Sequence, residues 1–255
     1  MKIFFPDGTT KEGTVEEILE YIRTSGNNPF EANKTSINNK DISTSTQPEA
    51  EDDESSDGEY FIGSYCKYYT LKQLRRKSEE RWLKEMTDTW YDVTDHDYND
   101  QTIKAWKDCF NVIQESLVGL PTIYNDTYAI FEYVVPRPVS GNRTPESGIR
   151  ADVVLVAGKK TVILEFKRAK YYQDKHINQV LRYKKGIERY HKQFEEGNFW
   201  CKPVLVLTWA RNVYEREKGV IVCSKDNLQR AIIETLGKKV RVCHDIDDWI
   251  DGFNN

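Results

Sequence analysis

The stretch GIRADVVLVAGKKTVILEFKRAK, residues 148–170, constrains the fold more than any other part of the chain. Two β-rich apolar runs flank Gly158-Lys159, the chemistry of a tight hairpin. A two-residue turn there, or a four-residue loop from Ala157 to Lys160, sets Asp152 opposite Glu165 and Arg150 opposite Lys167. Side chains alternate with period two along a strand. Arg150, Asp152, Glu165 and Lys167 are therefore expected on one face, and Val153, Leu155, Val162, Leu164 and Phe166 on the apolar one.

The rest of the chain supplies partners for this hairpin. KYYTLKQLRRKSEERWLKEMTDTW (67–90) reads as one helix. DQTIKAWKDCFNVIQESL (100–117) reads as another, with Ile103, Trp106, Phe110, Ile113 and Leu117 spaced by threes and fours. TYAIFEYVVPRP (127–138) reads as a strand stopped by prolines, and HINQVLRYKKGIERYHKQF (176–194) as a long helix. PVLVLTWA and GVIVCS look like buried strands, NLQRAIIETLG like a helix ending at glycine, and KVRVCH like a last short strand. Strands and helices interleave, so the expected class is α/β: a mixed central sheet flanked by helices.

Three parts are expected. Residues 1–24 form a small ββα element, its helix opened by a Thr14/Glu17 capping box, with a faint likeness to a β-grasp unit. Residues 25–58 carry eight acids against two lysines and almost no large apolar side chains, the composition of a disordered acidic linker. Residues 59–255 are the globular domain. The element 1–24 is too small to be stable alone, so it is expected to dock on the rest of the chain or on a protein partner engaged through residues 1–58.

The chain's net charge of −4 conceals an uneven distribution. Residues 1–24 and 25–58 account for −2 and −6, leaving +4 for the remainder. Residues 159–192 hold eleven Lys and Arg against three acids, a local basic surface that suits a phosphate backbone or, equally on charge alone, a solvated helix face. The five cysteines lack CxxC spacing, which argues for a reducing compartment and against a zinc or iron–sulfur site. No apolar run approaches the roughly 20 residues of a membrane span, and MKIFFPDGTT lacks the parts of a signal peptide. A cytoplasmic location without membrane attachment is expected.

Asp152 and Glu165 carry the chemistry. Two carboxylates directly across a strand pair repel, so either one takes up a proton or cations neutralise both. A divalent oxygen-ligated metal resolves the conflict; a buried four-charge ion-pair network is the structural alternative. Glu132 interrupts the apolar strand YAIFEYVV, where a charge needs a partner, and the hairpin's charged face would supply one. Glu115 is the competing third acid, placed off the apolar stripe of its helix. His176 and His191 read as surface or capping residues, Tyr171 and Tyr172 as edge packing or base stacking, and the six tryptophans as core or partly buried.

Asp152 followed by Glu165-Phe166-Lys167 resembles the acid–acid–lysine core of the PD-(D/E)xK, restriction-endonuclease-like, nuclease superfamily. Gln179 and Tyr183 in NQVLRY resemble the Gln-x-x-x-Tyr element of its RecB-like branch, which Gly148 and Arg150 also fit. Ala151 stands where that motif has proline. The resemblance spans about residues 100–210. It implies a metal-dependent nuclease using Mg²⁺ or Mn²⁺, with Asp152, Glu165 and Glu132 at the metal and Lys167 orienting or deprotonating the attacking water. It further implies that Gln179 reaches the site from its helix with Tyr183, a nucleic-acid contact, one turn on, and that Arg150, Arg168 and Lys170 contact phosphates or, alternatively, balance the acids. DNA is the expected substrate, in restriction, repair or anti-phage defence, with a homodimer left open. The rival readings are a non-catalytic nucleic-acid-binding or scaffold subunit that keeps the fold, and an RNA nuclease.

Overall fold

The computed structural model describes residues 2–4, 10–12, 62–90, 98–140, 147–195, 197, 199–238, 240, 243 and 245–253. The chain divides into two units, Met1–Glu54 and Ser55–Asn255. In the first, strands β1 (Lys2–Phe4) and β2 (Thr10–Glu12) pair antiparallel, with Ile3 against Lys11. The helix expected from Thr14 and the acidic segment 25–58 lie outside the described residues.

The second unit is built on a seven-stranded mixed sheet. Its strands are β3 (Lys67–Thr70), β4 (Tyr128–Pro136), β5 (Gly148–Ala157), β6 (Lys160–Lys167), β7 (Trp200–Leu207), β8 (Tyr214–Glu217) and β9 (Val220–Ser224). They lie in the order β3-β4-β5-β6-β7-β9-β8. Pairing is antiparallel from β3 to β6, parallel for β6–β7 and β7–β9, and antiparallel again for β8–β9. From Ala157–Lys160 to Val153–Leu164 the hairpin register is the expected one, but the ladder stops there, short of the expected pairs Asp152–Glu165 and Arg150–Lys167.

Helices α1 (Leu71–Leu74), α2 (Glu79–Trp90), α3 (Asp100–Leu117), α4 (Asp174–Tyr190), α5 (Lys192–Glu195), α6 (Leu228–Leu236) and α7 (Ile246–Ile250) cover both faces. On one face, Trp82 and Met86 of α2, Phe110 and Ile113 of α3, and Leu228 and Ile232 of α6 bury Phe131, Val153, Leu155 and Leu164. On the other, Ile177, Val180 and Ile187 of α4 and Trp249 of α7 bury Ile130, Val154, Ile163 and Leu205. Gly186 brings α4 close to β4, because a methyl there would collide with the Pro136 carbonyl oxygen. Asn99 caps α3, accepting from the N–H groups of Gln101 and Thr102 at 2.9 Å. At the other end of α3, Arg75 donates to the carbonyls of Leu117 and Leu120.

Three sequence expectations are corrected. Residues 67–90 are a strand and two helices rather than one helix. Tyr68 and Tyr69 extend along β4, and Thr70 then opens α1 through a capping box with Gln73. The long helix 176–194 breaks at His191, whose extended backbone ends α4. His191 does cap α4, but it is fully buried rather than superficial: its ring bonds the Trp249 carbonyl at 2.8 Å, and burial pushes its pKa down to about 4. Trp200 and Trp209 are exposed. Most of the strand expected at 239–244 lies outside the described residues, and the described Val240 and Cys243 are not in strand conformation. The edge strands β3 and β8 were not foreseen. All five cysteines are free and buried. Among the described residues, no helix is long and apolar enough to cross a membrane.

Candidate active site

The charged residues of the hairpin gather at the C-terminal end of β6, the strand where antiparallel pairing gives way to parallel. Their arrangement depends on one irregularity. Phe131 pairs with Val153 and Tyr133 with Ala151, but Glu132 and Asp152 between them drop out of the ladder, and Glu132 has φ 55°. A left-handed glutamate inside a strand is uncommon and turns the following residues over. The core records this reversal. Ala129 and Phe131 pack toward α3, yet Tyr133 and Val135 pack toward α4; on β5, Val153 and Leu155 face α3, while Ala151 and Ile149 face α4.

The expected single charged face is therefore split. Arg150 turns to the α3 side, where its guanidinium lies over the Trp90 ring at 4.4 Å and its Nε meets Glu132 Oε2 at 2.5 Å. The Trp106 indole N–H donates to Glu132 Oε1 at 2.8 Å. Both Glu132 oxygens are thus engaged. Glu165 and Lys167 keep the α4 side, with the Lys167 ammonium 2.8 Å from Glu165 Oε1. Asp152 stands between the two sets, its Oδ2 accepting from the Phe166 N–H at 2.7 Å.

Glu165 is the strained member. It is 2% exposed, and its Oε2 is buried with no hydrogen-bond donor. Asp152 lies within hydrogen-bonding reach of it, so the two carboxylates hold together either by sharing a proton or around a cation. Burial, reinforced by Asp152, pushes Glu165 up to about 8. Burial also raises Glu132 to about 7 against the pull of Arg150, and raises Asp152. Burial alone would lower Lys167, but Glu165 and Asp152 outweigh it and keep the ammonium charged. Three carboxylates thus face two cations.

From α4, Gln179 donates to the Tyr183 hydroxyl at 2.8 Å, and Tyr183 is buried, its hydroxyl pushed up by burial and by the negative charge of Glu165 and Asp152. Arg168 is drawn to Asp108 on α3 at 2.9 Å. Lys170 is exposed on the connection to α4. Glu115 is 62% exposed and pairs with Lys225, away from these groups. A cleft of about 370 Å³ opens over the α3 side, lined by Trp106, Cys109, Glu132, Arg150, Asp152 and Arg168 among others. A larger cleft of about 1090 Å³ runs beside β3, but its carboxylate, Glu85, is satisfied by Lys77, Tyr69 and Arg81, which against burial hold it down at about 2.

Sequence reasoning missed Trp106, Asp108 and Trp90 as supports. The Trp106 indole needs a buried acceptor, which was the available signal; Asp108 gave none. Among the described residues, no group of three or more His, Cys, Asp and Glu is arranged to hold a metal ion. The reason is local, since Arg150 and Trp106 occupy the third acid. The remaining pair, Asp152 and Glu165, suits a cation that takes only one or two protein carboxylates and completes its shell with water and phosphate, as Mg²⁺ does. Compared with known proteins, the chain matches no protein-family model and no curated relative.

Proposed function

We propose that the protein is a metal-dependent nuclease that hydrolyses phosphodiester bonds, on a restriction-endonuclease-like core. The observation that carries this reading is the unpartnered Glu165 Oε2, buried beside Asp152 with the Lys167 ammonium 2.8 Å from the other oxygen. Asp152 and Glu165 would hold Mg²⁺ or Mn²⁺, which when bound activates water and offsets charge on the scissile phosphate. Glu132 is assigned a positioning role: it holds Arg150 in place and stays off the metal.

Lys167 stays protonated at neutral pH, which favours orienting water and stabilising the phosphorane-like charge over removing a proton. Tyr183 and Gln179 stand on α4, where the Tyr183 hydroxyl accepts from Gln179 and has its pKa raised by burial and by the charge of Glu165 and Asp152. Arg150, bound to Glu132, balances the acids instead of reaching phosphate. Arg168 and Lys170 remain the candidates for phosphate oxygens. DNA is the substrate we favour.

A second reading, a nucleic-acid-binding subunit without catalysis, draws support from the two ion pairs already formed at the site. Both are tested by cleavage of supercoiled plasmid and of matched RNA with Mg²⁺ or Mn²⁺, wild type beside Lys167→Ala and Glu165→Ala. Metal-dependent cutting lost in both variants is the expected result. Equal cutting by all three would overturn the proposal, and binding without cutting on either substrate would favour the second reading.

A further inference from the structure

Strandedness can be read from the rim of the same site, and this inference rests on the nuclease reading only for the position of the cut. Two of the large hydrophobic side chains that stand exposed, Tyr171 (83%) and Trp209 (56%), follow the C-terminal ends of β6 and β7. Glu165 and Lys167 sit at that end of β6, paired across to Leu205 and Leu207 of β7. Trp209 thus presents its ring to solvent on the turn that follows β7.

The turn is rigid. The Thr208 N–H donates to the Lys167 carbonyl at 2.9 Å, the Ala210 N–H to the Leu207 carbonyl at 3.3 Å, and Ala210 is buried. Trp209 is therefore tied through its neighbours to the strand that carries Lys167. The Arg168 guanidinium lies 5.4 Å from the Trp209 ring centroid while Asp108 holds its Nε. Arg168 and Thr208 line the 370 Å³ cleft together with Asp152 and Glu132. Arg168 thus lies beside the aromatic face and at the same time lines the cleft that reaches Asp152 and Glu132.

We infer that Trp209 is a stacking platform for an unpaired nucleobase next to the bond to be cut, with Arg168 taking the adjoining phosphate. A base inside a duplex already has both faces stacked, so such a platform selects single strands or frayed and overhanging ends over blunt duplex. Charge complementarity favours nucleic acid as the occupant, because the Arg168 guanidinium lies beside the ring and residues 159–192 carry eleven Lys and Arg against three acids.

The test uses the full chain with fluorophore-labelled oligothymidylate and a blunt duplex of equal length. Affinities are measured in a chelator and cleavage is followed after adding Mg²⁺. Wild type is expected to prefer the single strand. The ratio of the two affinities should fall roughly ten-fold in Trp209→Ala and largely recover in Trp209→Phe. An unchanged ratio in Trp209→Ala, or no single-strand preference in wild type, overturns the inference. Cleavage by wild type beside Lys167→Ala reports separately on the nuclease reading: cutting with an unchanged ratio sinks only the platform, whereas a shifted ratio without cutting sinks only the nuclease.

Discussion

The two sides of the split site differ in how far their charges are already satisfied. Toward α3, Glu132 has both oxygens engaged, one by Trp106 and one by Arg150, and Arg150 in turn stacks on Trp90. Toward α4, Glu165 shares one oxygen with Lys167 and leaves the other buried without a donor. A closed network rigidifies; an open one retains binding energy for something absent from the chain itself. On the nuclease proposal, the first side would be support and the second would carry the chemistry.

Activity should show the largest difference. Lys167→Ala is expected to lower cleavage by roughly 10²–10⁴-fold, the usual scale for a positioned proton-handling or charge-stabilising group. Glu165→Gln should do the same, while Glu132→Gln should cost far less in steady-state cleavage assays. If Glu132→Gln is as inactive as Glu165→Gln, the division into support and chemistry breaks down. Stability should reverse the order. Arg150→Ala leaves Glu132 buried and uncompensated, a loss of about 3 kcal/mol by chemical denaturation, and the double variant Arg150→Ala/Glu132→Gln should recover part of it.

Gly186→Ala sharpens the comparison from the α4 side. The added methyl meets backbone at the Pro136 carbonyl, so α4 must retreat and carry Gln179 and Tyr183 with it. The expected cost is about 1–3 kcal/mol, net of any gain in helix propensity, together with reduced cleavage.

The smallest effect lies in pH. The folded-state pKa of Glu165 is about 8 and that of Glu132 about 7, both above the ordinary glutamate value of 4.5. The folded state thus keeps protons that the unfolded state releases, and stability falls as pH rises toward 8. His191 acts oppositely but only between its folded value of about 4 and its ordinary 6.5, so the window from 6.5 to 8 isolates the carboxylates. Thermal melts without metal should lose stability on the order of 1 kcal/mol across that window. Glu165→Gln should flatten the dependence, and added Mg²⁺ should oppose it in wild type. A wild-type profile as flat as that of Glu165→Gln would place Glu165 in a wetter site than its burial indicates.

Much of the fold was legible because its signals are local. Gly158-Lys159 between alternating apolar runs dictates the hairpin register, and the three-and-four spacing of Trp106, Phe110, Ile113 and Leu117 dictates α3. The strand β3 was not, because Tyr68 and Tyr69 serve either conformation until β4 offers them a ladder. The break at His191 was hidden for a similar reason: a helical pattern continues through it, and only the Trp249 carbonyl, far along the chain, gives its ring a buried partner.

The candidate site divides the same way. Asp152, Glu165 and Lys167 could be named from residue type and period-two spacing, Gln179 and Tyr183 only from the family resemblance. Glu132 could be chosen over Glu115 because a charge inside a central strand demands a partner. The partner itself could not be read, nor that Arg150 would leave the shared face. That reversal follows from a single left-handed residue, whose conformation depends on what Trp106 and Arg150 offer across the sheet. The Arg168–Trp209 contact likewise needs β6 and β7 to lie parallel side by side, which brings together residues 41 positions apart. The sequence by itself determined which residues to single out as candidates and in which register β5 and β6 pair. Tertiary structure decided which side of the sheet each charge occupies and which carboxylate is left open, because both depend on contacts between segments that no local pattern encodes.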